Sequence, residues 1–449
     1  VRGHAANAEI DRELEEFHFE AARRLGRWTV DDESRGVEGS LRGVQREIFE
    51  LVRAIGPSDA AVYRSARVRL LENVANALRE DRARGRRARR ALSTLQSLRE
   101  IDELWTLRST SPTTGDLERL VATWYARGPE SRHGFEATEQ VDAVRESLLR
   151  RVACVVDGAK LILARHLHRS ATNARLSERL QTASAAICRL RQLTTESADV
   201  ATRASRDDRL SWAFEEAQIL WVSGERRRAL TMVRRLRRRI DDADGSVSPT
   251  LASRILATTG EWLAETRSES SSTIHGDYLA NAARMAVDEG VSGAQIGEIS
   301  FKVAQYVDGL HRKLRERVAS QESQKWESTK RDLEREIGVV ESRILETVKK
   351  KNTSESKTLG HCLRDLRRKL DSLKRGRMAD SVAVERYLLE AVGHYRRCLQ
   401  YDDAYDTPAT ARLVAIWLRR DTETDARRAV SDAISALPSA KFVPLVIRS

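Results

Sequence analysis

Residues 299–318 read ISFKVAQYVDGLHRKLRERV and carry the clearest structural signal in the sequence. Its apolar side chains recur every three or four residues, at Ile299, Val303, Tyr306, Leu310, Leu314 and Val318. This spacing places them on one face of an α-helix and leaves the charged residues on the other. After a polar interval the apolar stripe resumes at Leu333, Ile337, Val340, Ile344 and Val348. The region 299–348 therefore predicts a very long helical arm.

A second apolar stripe follows directly after this arm. The polar turn Asn352-Thr353-Ser354-Glu355 precedes leucines with helical spacing, namely Leu359, Leu363, Leu366, Leu370 and Leu373. Two long amphipathic helices joined by a short turn pack as an antiparallel pair. We therefore predict a long antiparallel helical hairpin over residues 293–375.

The rest of the chain shows the same helical pattern. Only 7 of the 449 residues are proline. The stretches 130–248 and 250–407, which Pro249 separates, contain none. Turn residues cluster at 56–59, 111–115, 128–131 and 241–249. The sequence predicts an all-α fold of about fifteen helices. Because no single helix can bury its own apolar stripe, we expect a helical-repeat α-solenoid of the TPR or HEAT type, with degenerate repeats.

Composition excludes several classes of protein. No run of 18 uncharged apolar residues occurs, which argues against a membrane-spanning protein. The four cysteines, Cys154, Cys188, Cys362 and Cys398, are far apart and form no CxxC pair, so we expect buried, reduced thiols rather than a disulfide framework or a zinc site. The first residue is not Met, and the last residues lie in an apolar run. We therefore expect a segment of a longer protein.

Motifs for catalysis are absent from the sequence. It contains no GxxxxGK[ST], no GxSxG, no HExxH and no protein-kinase motif set. His166 and His168 are the only close histidine pair, and residues two apart point to different faces of a helix. We therefore predict no catalytic residue, no metal ligand and no cofactor-binding residue in this chain.

Arginine-rich runs dominate the positive charge, which is +12 overall. They lie at 82–90, 226–239 and 364–377. In the second run Ala229, Val233 and Leu236 keep an apolar stripe between the arginines, which favours a solvated outer helix face. Contact with a phosphate backbone is the alternative interpretation, and it predicts binding that weakens steeply with salt.

Several blocks resemble the FAT domain of the phosphatidylinositol-3-kinase-related protein kinases, and above all its ATM-type branch. WAFEEAQILW, residues 212–221, is similar to a block of that family, as is GEWLAET, residues 260–266. FHFEAARR at 17–24, YLLEAV at 387–392 and KFVPL at 441–445 follow in the family's order. The residues that carry the resemblance best are Trp212, Phe214, Glu216, Trp221, Trp262 and Leu263. Taken from the residues alone, these aromatic positions are interpreted as helix-packing core.

The resemblance implies a regulatory and dimerising scaffold that clasps a C-terminal kinase domain. It implies a kinase that phosphorylates Ser/Thr-Gln sites in DNA double-strand-break signalling and telomere maintenance. ATP and Mg²⁺ would belong to that kinase domain and not to this chain. The partners implied are the chain's own kinase domain, a homodimer partner and DNA-damage sensor proteins, with weak direct DNA contact and no membrane. The implied location is the nucleus, at chromosomes and telomeres, and also the cytoplasm.

Within this interpretation the chain divides into four parts. These are N-terminal FAT repeats at 1–205, central repeats at 206–292, the hairpin at 293–375 and C-terminal helices at 376–449. Ser320-Gln321 and Ser323-Gln324 lie in the polar interval of the long arm, so Ser320 and Ser323 are candidate phosphorylation sites. Two alternatives stay open: a stand-alone helical-repeat adaptor, and a basic chromatin- or DNA-binding scaffold.

Overall fold

A computed structural model describes residues 2–29, 43–80, 85–110, 112–127, 135–156, 158–242, 247–319, 321–349, 353–401, 406–418, 428 and 431–432. Every regular element among them is a helix. The chain forms two compact units, Val1–Met232 and Val233–Ser449. The prediction of an all-α helical-repeat fold with a long hairpin is confirmed. The four-part division stays a prediction.

The first unit is built from helices that mostly pack on the next helix in the chain or on the one after it. Its elements are α1 (Arg2–Leu25), α2 (Val44–Ile55), α3 (Ala60–Glu80), α4 (Gly85–Arg108), α5 (Thr114–Ala126), α6 (Phe135–Val152), α7 (Ala159–Leu176), α8 (Leu180–Glu196), α9 (Ala198–Arg203) and α10 (Arg206–Val222). The boundary between the units falls within α11 (Arg226–Asp241). Capping boxes begin α5 at Thr113 and α10 at Ser205.

One continuous apolar core runs through the first unit. Leu51, Ile101, Trp124, Leu148 and Leu163 are among its fully or almost fully buried members. Buried charged residues described in this unit have polar partners. For example, Arg145 of α6 donates to both carboxylate oxygens of Glu100 on α4, at 2.6 and 2.8 Å. This buried charge pair, with its two hydrogen bonds, fixes the register of the two helices. A shift of either helix would separate the partners and leave a buried charge without its counter-charge.

The second unit contains the hairpin. It begins with α12 (Pro249–Thr266), the single turn α13 (Ser271–Thr273), a π-helical segment (Ile274–Ala280) and α14 (Asn281–Asp288). The hairpin follows as α15 (Gly293–Ala319), α16 (Gln321–Lys349) and α17 (Thr353–Tyr401), and α18 (Asp406–Trp417) packs on α17.

The arms of the hairpin are antiparallel, as predicted. Glu341 pairs with Arg367 near the turn, Arg317 with Asp380 further along, and Phe301 contacts Tyr395 near the base. Two details differ from the sequence prediction. The outgoing arm is two consecutive helices, α15 and α16, and the returning arm extends well beyond the leucine stripe to Tyr401.

The prediction of buried cysteines is wrong for three of the four. Cys154, Cys188 and Cys362 are exposed free thiols, and only Cys398, on the inner face of α17, is buried. Each exposed cysteine lies on the outer face of its segment, where its apolar character does not determine its placement.

Candidate functional site

Helix α10 carries the aromatic block WAFEEAQILW. Trp212, Phe214 and Ala217 are buried, with Trp212 reaching into the core of the first unit. Trp221 is half-buried, and the Arg226 guanidinium carbon lies 5.1 Å from its ring centroid. These aromatic side chains anchor α10, so its other face is held in a fixed position.

Two adjacent glutamates of α10 have different environments. Glu215 is buried and accepts two hydrogen bonds from Arg175 of α7, at 2.5 and 3.2 Å. Glu216, the residue that the sequence pattern singled out, is half-buried and pairs with Arg191 of α8. The buried role of Glu215 has a signal in the sequence, because Glu215 lies three residues after Trp212 and four before Ile219, on one helix face.

A groove of about 320 Å³ lies between α8, α9 and α10. Trp212, Leu190 and Val200 form apolar parts of its wall, and Arg191 with Glu216 forms part of its edge. The groove is open to solvent. The described residues that line it include no pair of groups with the geometry of a nucleophile and a base. Its chemistry suits apolar contact with a polypeptide.

The motif GEWLAET lies in α12 of the second unit, where Trp262 and Leu263 are buried. Gly260 permits a close approach: a Cβ there would lie 2.7 Å from Leu279 Cδ2 and 2.8 Å from its Cγ. Leu279 is itself buried within the π-helical segment, where side chains are close-packed. The FAT-like residues thus fall in both units, with α10 in the first and α12 in the second.

A buried ion pair closes the base of the hairpin. Asp308 of α15 is 2% exposed and accepts hydrogen bonds from Arg412 of α18 through both carboxylate oxygens, at 2.7 and 2.8 Å. Arg312 lies 3.5 Å from the same carboxylate. The hydrogen bonds to Asp308 raise the pKa of Arg412 despite partial burial. The pair joins two helices through residues that are 104 positions apart, which gives Asp308 a structural role.

Between the π-helical segment and α17 lies a cluster of polar side chains. His275 Nε2 lies 2.7 Å from Glu390 Oε1. Burial raises the pKa of Glu390, but the hydrogen bond and charge of His275 outweigh this effect and lower it overall. Burial, followed by the charge of Arg397, lowers the pKa of His394 to about 4, so this imidazole is neutral at physiological pH.

The boundary between α15 and α16 is braced by α17. Arg377 donates to the carbonyl of Val318 at 3.0 Å, and Trp326 Nε1 donates to the carbonyl of Leu373 at 3.3 Å. Arg377 also lies 5.5 Å from the Trp326 ring centroid. Candidate phosphosite Ser320 lies outside the described residues. Ser323 belongs to the first turn of α16, and its side chain is likewise not described.

Beyond this boundary the hairpin is a two-helix structure. Among its described side chains only Thr347, Leu366 and Leu370 are buried. Its ion pairs, such as Glu341 with Arg367 at 2.6 Å, are on the surface. Met378 and Val382, 71% and 61% exposed, form an apolar strip on the outside of α17.

Many arginines of the basic runs are engaged within the chain. Arg234 pairs with Glu269, Arg237 with Asp241, and Arg228 with Glu225. Arg237 also lies over the ring of Tyr278. These contacts support the interpretation of α11 as a solvated helix face. Within the described residues no cluster of three or more His, Cys, Asp or Glu side chains could hold a metal ion. None of the described helices is long and apolar enough to cross a membrane.

Tandem helices anchored by aromatic residues, together with a braced hairpin, define a helical scaffold. The FAT domain model matches residues 60–415, so the chain belongs to the FAT domain family. The resemblance noted in the sequence is thereby confirmed.

Curated relatives include the serine/threonine-protein kinase ATM of Arabidopsis thaliana, 24% identical over 75% of this chain and 8% of its own length. The serine-protein kinase ATM of Sus scrofa is 22% identical over 98% of this chain and 14% of its own length. This chain thus spans a small fraction of these relatives. A structure of the open conformation of CtTel1 has a similar fold, with a TM-score of 0.64 and 18% identity, over 98% of this chain and 16% of that chain.

Proposed function

We propose that this chain is the regulatory FAT scaffold of an ATM-like serine/threonine protein kinase and that it clasps the kinase domain of the same protein. The family match over residues 60–415 is the observation that carries the proposal. The described residues contribute helix packing and ion pairs, so the role is mechanical. Catalysis, together with ATP and Mg²⁺, belongs to the kinase domain.

The hairpin gives the scaffold a means of regulation. Its base is fixed by the Asp308–Arg412 pair, whereas its outer part presents exposed apolar side chains such as Met378 and Val382. A partner that contacts this outer part shifts the balance between inactive and active kinase only if the contact differs in free energy between the two states. The proposed partners are the kinase domain, a homodimer partner and DNA-damage sensor proteins.

The cellular role proposed for the parent kinase is phosphorylation of Ser/Thr-Gln sites in the nucleus, in response to DNA double-strand breaks and in telomere maintenance. Ser320 and Ser323, each followed by Gln, are proposed as phosphorylation sites of that same specificity. Replacing both by alanine in the full-length protein should reduce activation by damaged DNA. Activation identical to that of the unmodified protein would exclude the two serines as regulatory sites.

The first test of the proposal is the coding sequence beyond Ser449. Several hundred further residues with a glycine-rich loop and catalytic Asp and Asn residues would support the kinase scaffold. A stop codon close to Ser449 would overturn it and leave a stand-alone helical-repeat adaptor as the better account.

The second test addresses the outer part of the hairpin in the full-length protein. Val382→Glu places a charge on the apolar strip of α17 and should change kinase activity toward a Ser-Gln peptide. Ser328→Glu is the matched control, because it adds the same charge at an exposed position of α16. Equal activity of the two variants, at equal protein abundance, would contradict a regulatory contact at this strip.

A further inference from the structure

Two arginines meet at the C-terminal end of α2 in the first unit. Arg108, the last residue of α4, donates through Nη2 to the carbonyl of Gly56 at 2.6 Å. Arg151, near the end of α6, donates through Nη2 to the carbonyl of Arg53 at 3.2 Å. Gly56 makes room for this arrangement, since a Cβ on it would overlap the guanidinium of Arg151. Cations at the end of a helix are stabilised by its dipole and its free carbonyls.

Capping of α2 uses only part of the donor capacity of these side chains. Arg108 Nη1 and Arg151 Nε are buried and have no acceptor within the described part of the chain. In the same part of the chain no carboxylate pairs with Arg108 or Arg151, whereas Arg53 pairs with Glu50 at 2.6 Å. A buried charged donor without an acceptor is unfavourable, so such a group calls for an explanation.

The electrostatic environment is correspondingly positive. Burial lowers the pKa of Arg108. Burial also lowers the pKa of Arg151; Cys154 opposes this effect, and the neighbouring charges of Arg108 and Arg53 add to it. An anion bound beside these groups would relieve the mutual repulsion.

A cavity lies directly beside Arg108. Its volume is about 260 Å³, and Arg108 is its only charged wall residue among those described. The other wall residues are apolar: Leu104, Pro112, Leu117, Val152, Val155 and Val156. Since water occupies about 30 Å³ in the liquid, the volume fits a ligand of several heavy atoms. A site with an apolar wall and one cation selects a monoanion with an apolar body, and a phosphate dianion would leave charge uncompensated against this wall.

We propose that this cavity binds a small organic carboxylate, with the carboxylate on the Arg108 guanidinium and the apolar body against Leu104, Leu117 and Val152. Arginine presents paired donors that match a carboxylate. Such a group has two sources: a free acid with a short hydrocarbon chain, or the C-terminal carboxylate of a polypeptide that ends in an apolar residue. The site is independent of the kinase-scaffold role.

Isothermal titration calorimetry on the 449-residue chain tests the proposal with matched probes. Hexanoate and N-acetyl-leucine represent the two sources, and their neutral amides, hexanamide and N-acetyl-leucinamide, keep the apolar body without the charge. We expect at least one acid to bind about tenfold more tightly than its amide, because one charge-assisted hydrogen bond accounts for roughly that factor. The tighter acid identifies the source. Equal binding of acid and amide, or no binding of either acid, overturns the proposal.

Variants locate the site. Arg108→Gln should weaken binding of the acid about tenfold or more and leave the affinity for the amide unchanged. Arg99→Gln is the matched control, because Arg99 lies on the same helix, is exposed and does not line the cavity. Val155→Trp is a second variant: Val155 is 62% exposed at the cavity wall, so a larger side chain should obstruct the cavity without disturbing the core. Unchanged binding by Val155→Trp, with Arg108 intact, would place the ligand elsewhere.

Discussion

The hairpin has two halves with one sequence pattern and different surroundings. We define the hairpin root as α15 with residues 383–401 of α17, and the hairpin tip, which is the outer part named above, as α16 with residues 353–382 of α17. In the root, buried side chains face one another across the arms, and α12, α14, the π-helical segment and α18 pack around them. These buried residues include Val303, Ala304, Val307, Leu388, Val392 and Tyr395. In the tip, as far as the described residues show, each arm packs mainly on the other.

The comparison shows that helical periodicity specifies a helix but not its stability. An isolated two-helix pair gains little from burial, whereas a helix that packs on several neighbours gains from each of them. We therefore expect the tip to open locally with a lower free energy than the root. Three matched pairs of substitutions test this difference, and a fourth experiment measures a pH dependence of the root.

The largest effect should come from the ion pair of the root. Arg412→Ala removes the partner of the buried Asp308 carboxylate and should lower the free energy of unfolding by about 3–5 kcal/mol. In the tip, Glu341→Ala breaks the exposed pair with Arg367 and should lower it by less than about 1 kcal/mol. Urea titration measures both. Similar losses in the two variants would remove the distinction between root and tip.

Leucine truncation should follow the same order. Leu388→Ala leaves a cavity in the root and should lower the free energy of unfolding by about 2–4 kcal/mol. Leu363→Ala, at a half-buried position of the tip, should lower it by about 1 kcal/mol. Hydrogen exchange adds spatial resolution: Leu363→Ala should raise exchange in the tip only. Faster exchange throughout the root of this variant would mean that the two halves unfold together.

Two glycine-to-alanine substitutions should change the stability of the fold in opposite directions. Gly260→Ala in α12, which packs on the root, brings a methyl group against buried Leu279 and should cost about 1–3 kcal/mol. Gly338→Ala in the tip meets nothing within 4 Å and should stabilise α16 by roughly 0.5–1 kcal/mol. Melting temperatures of the two variants should therefore move in opposite directions. A stabilised Gly260→Ala variant would disprove the close packing of α12 on the π-helical segment.

The smallest effect should be a pH dependence of the root. His394 has a pKa of about 4 in the folded chain, below the ordinary value of 6.5. As pH falls from 6.5 to 4 the unfolded chain takes up this proton first, so stability is full above that window and declines within it. His394→Gln should remove about 1–2 kcal/mol of this decline, measured by urea titration at pH 7 and pH 4.5. A decline of the same size in the variant would assign it to other groups, among them Glu390.

Periodicity and turn residues were sufficient to predict the helices, the antiparallel hairpin and the aromatic face of α10. Burial of Glu215 was also encoded, because its spacing to Trp212 and Ile219 places all three on one face. The placement of the cysteines, by contrast, was not encoded in the local sequence. Cys154 and Cys188 have apolar neighbours in sequence and yet point outward, since a local pattern assigns a face only when several residues agree on it.

Local sequence was enough to assign the helices and the apolar stripe of each, because both depend on residues within one or two turns. The family resemblance followed from the same local blocks. The pairing of Asp308 with Arg412, 104 residues away, depends on the tertiary fold, and so does the meeting of Arg108 and Arg151 at the end of α2. Local spacing carries no information about such partners. Their charges are buried or paired according to how distant helices pack, and this packing is a property of the whole fold.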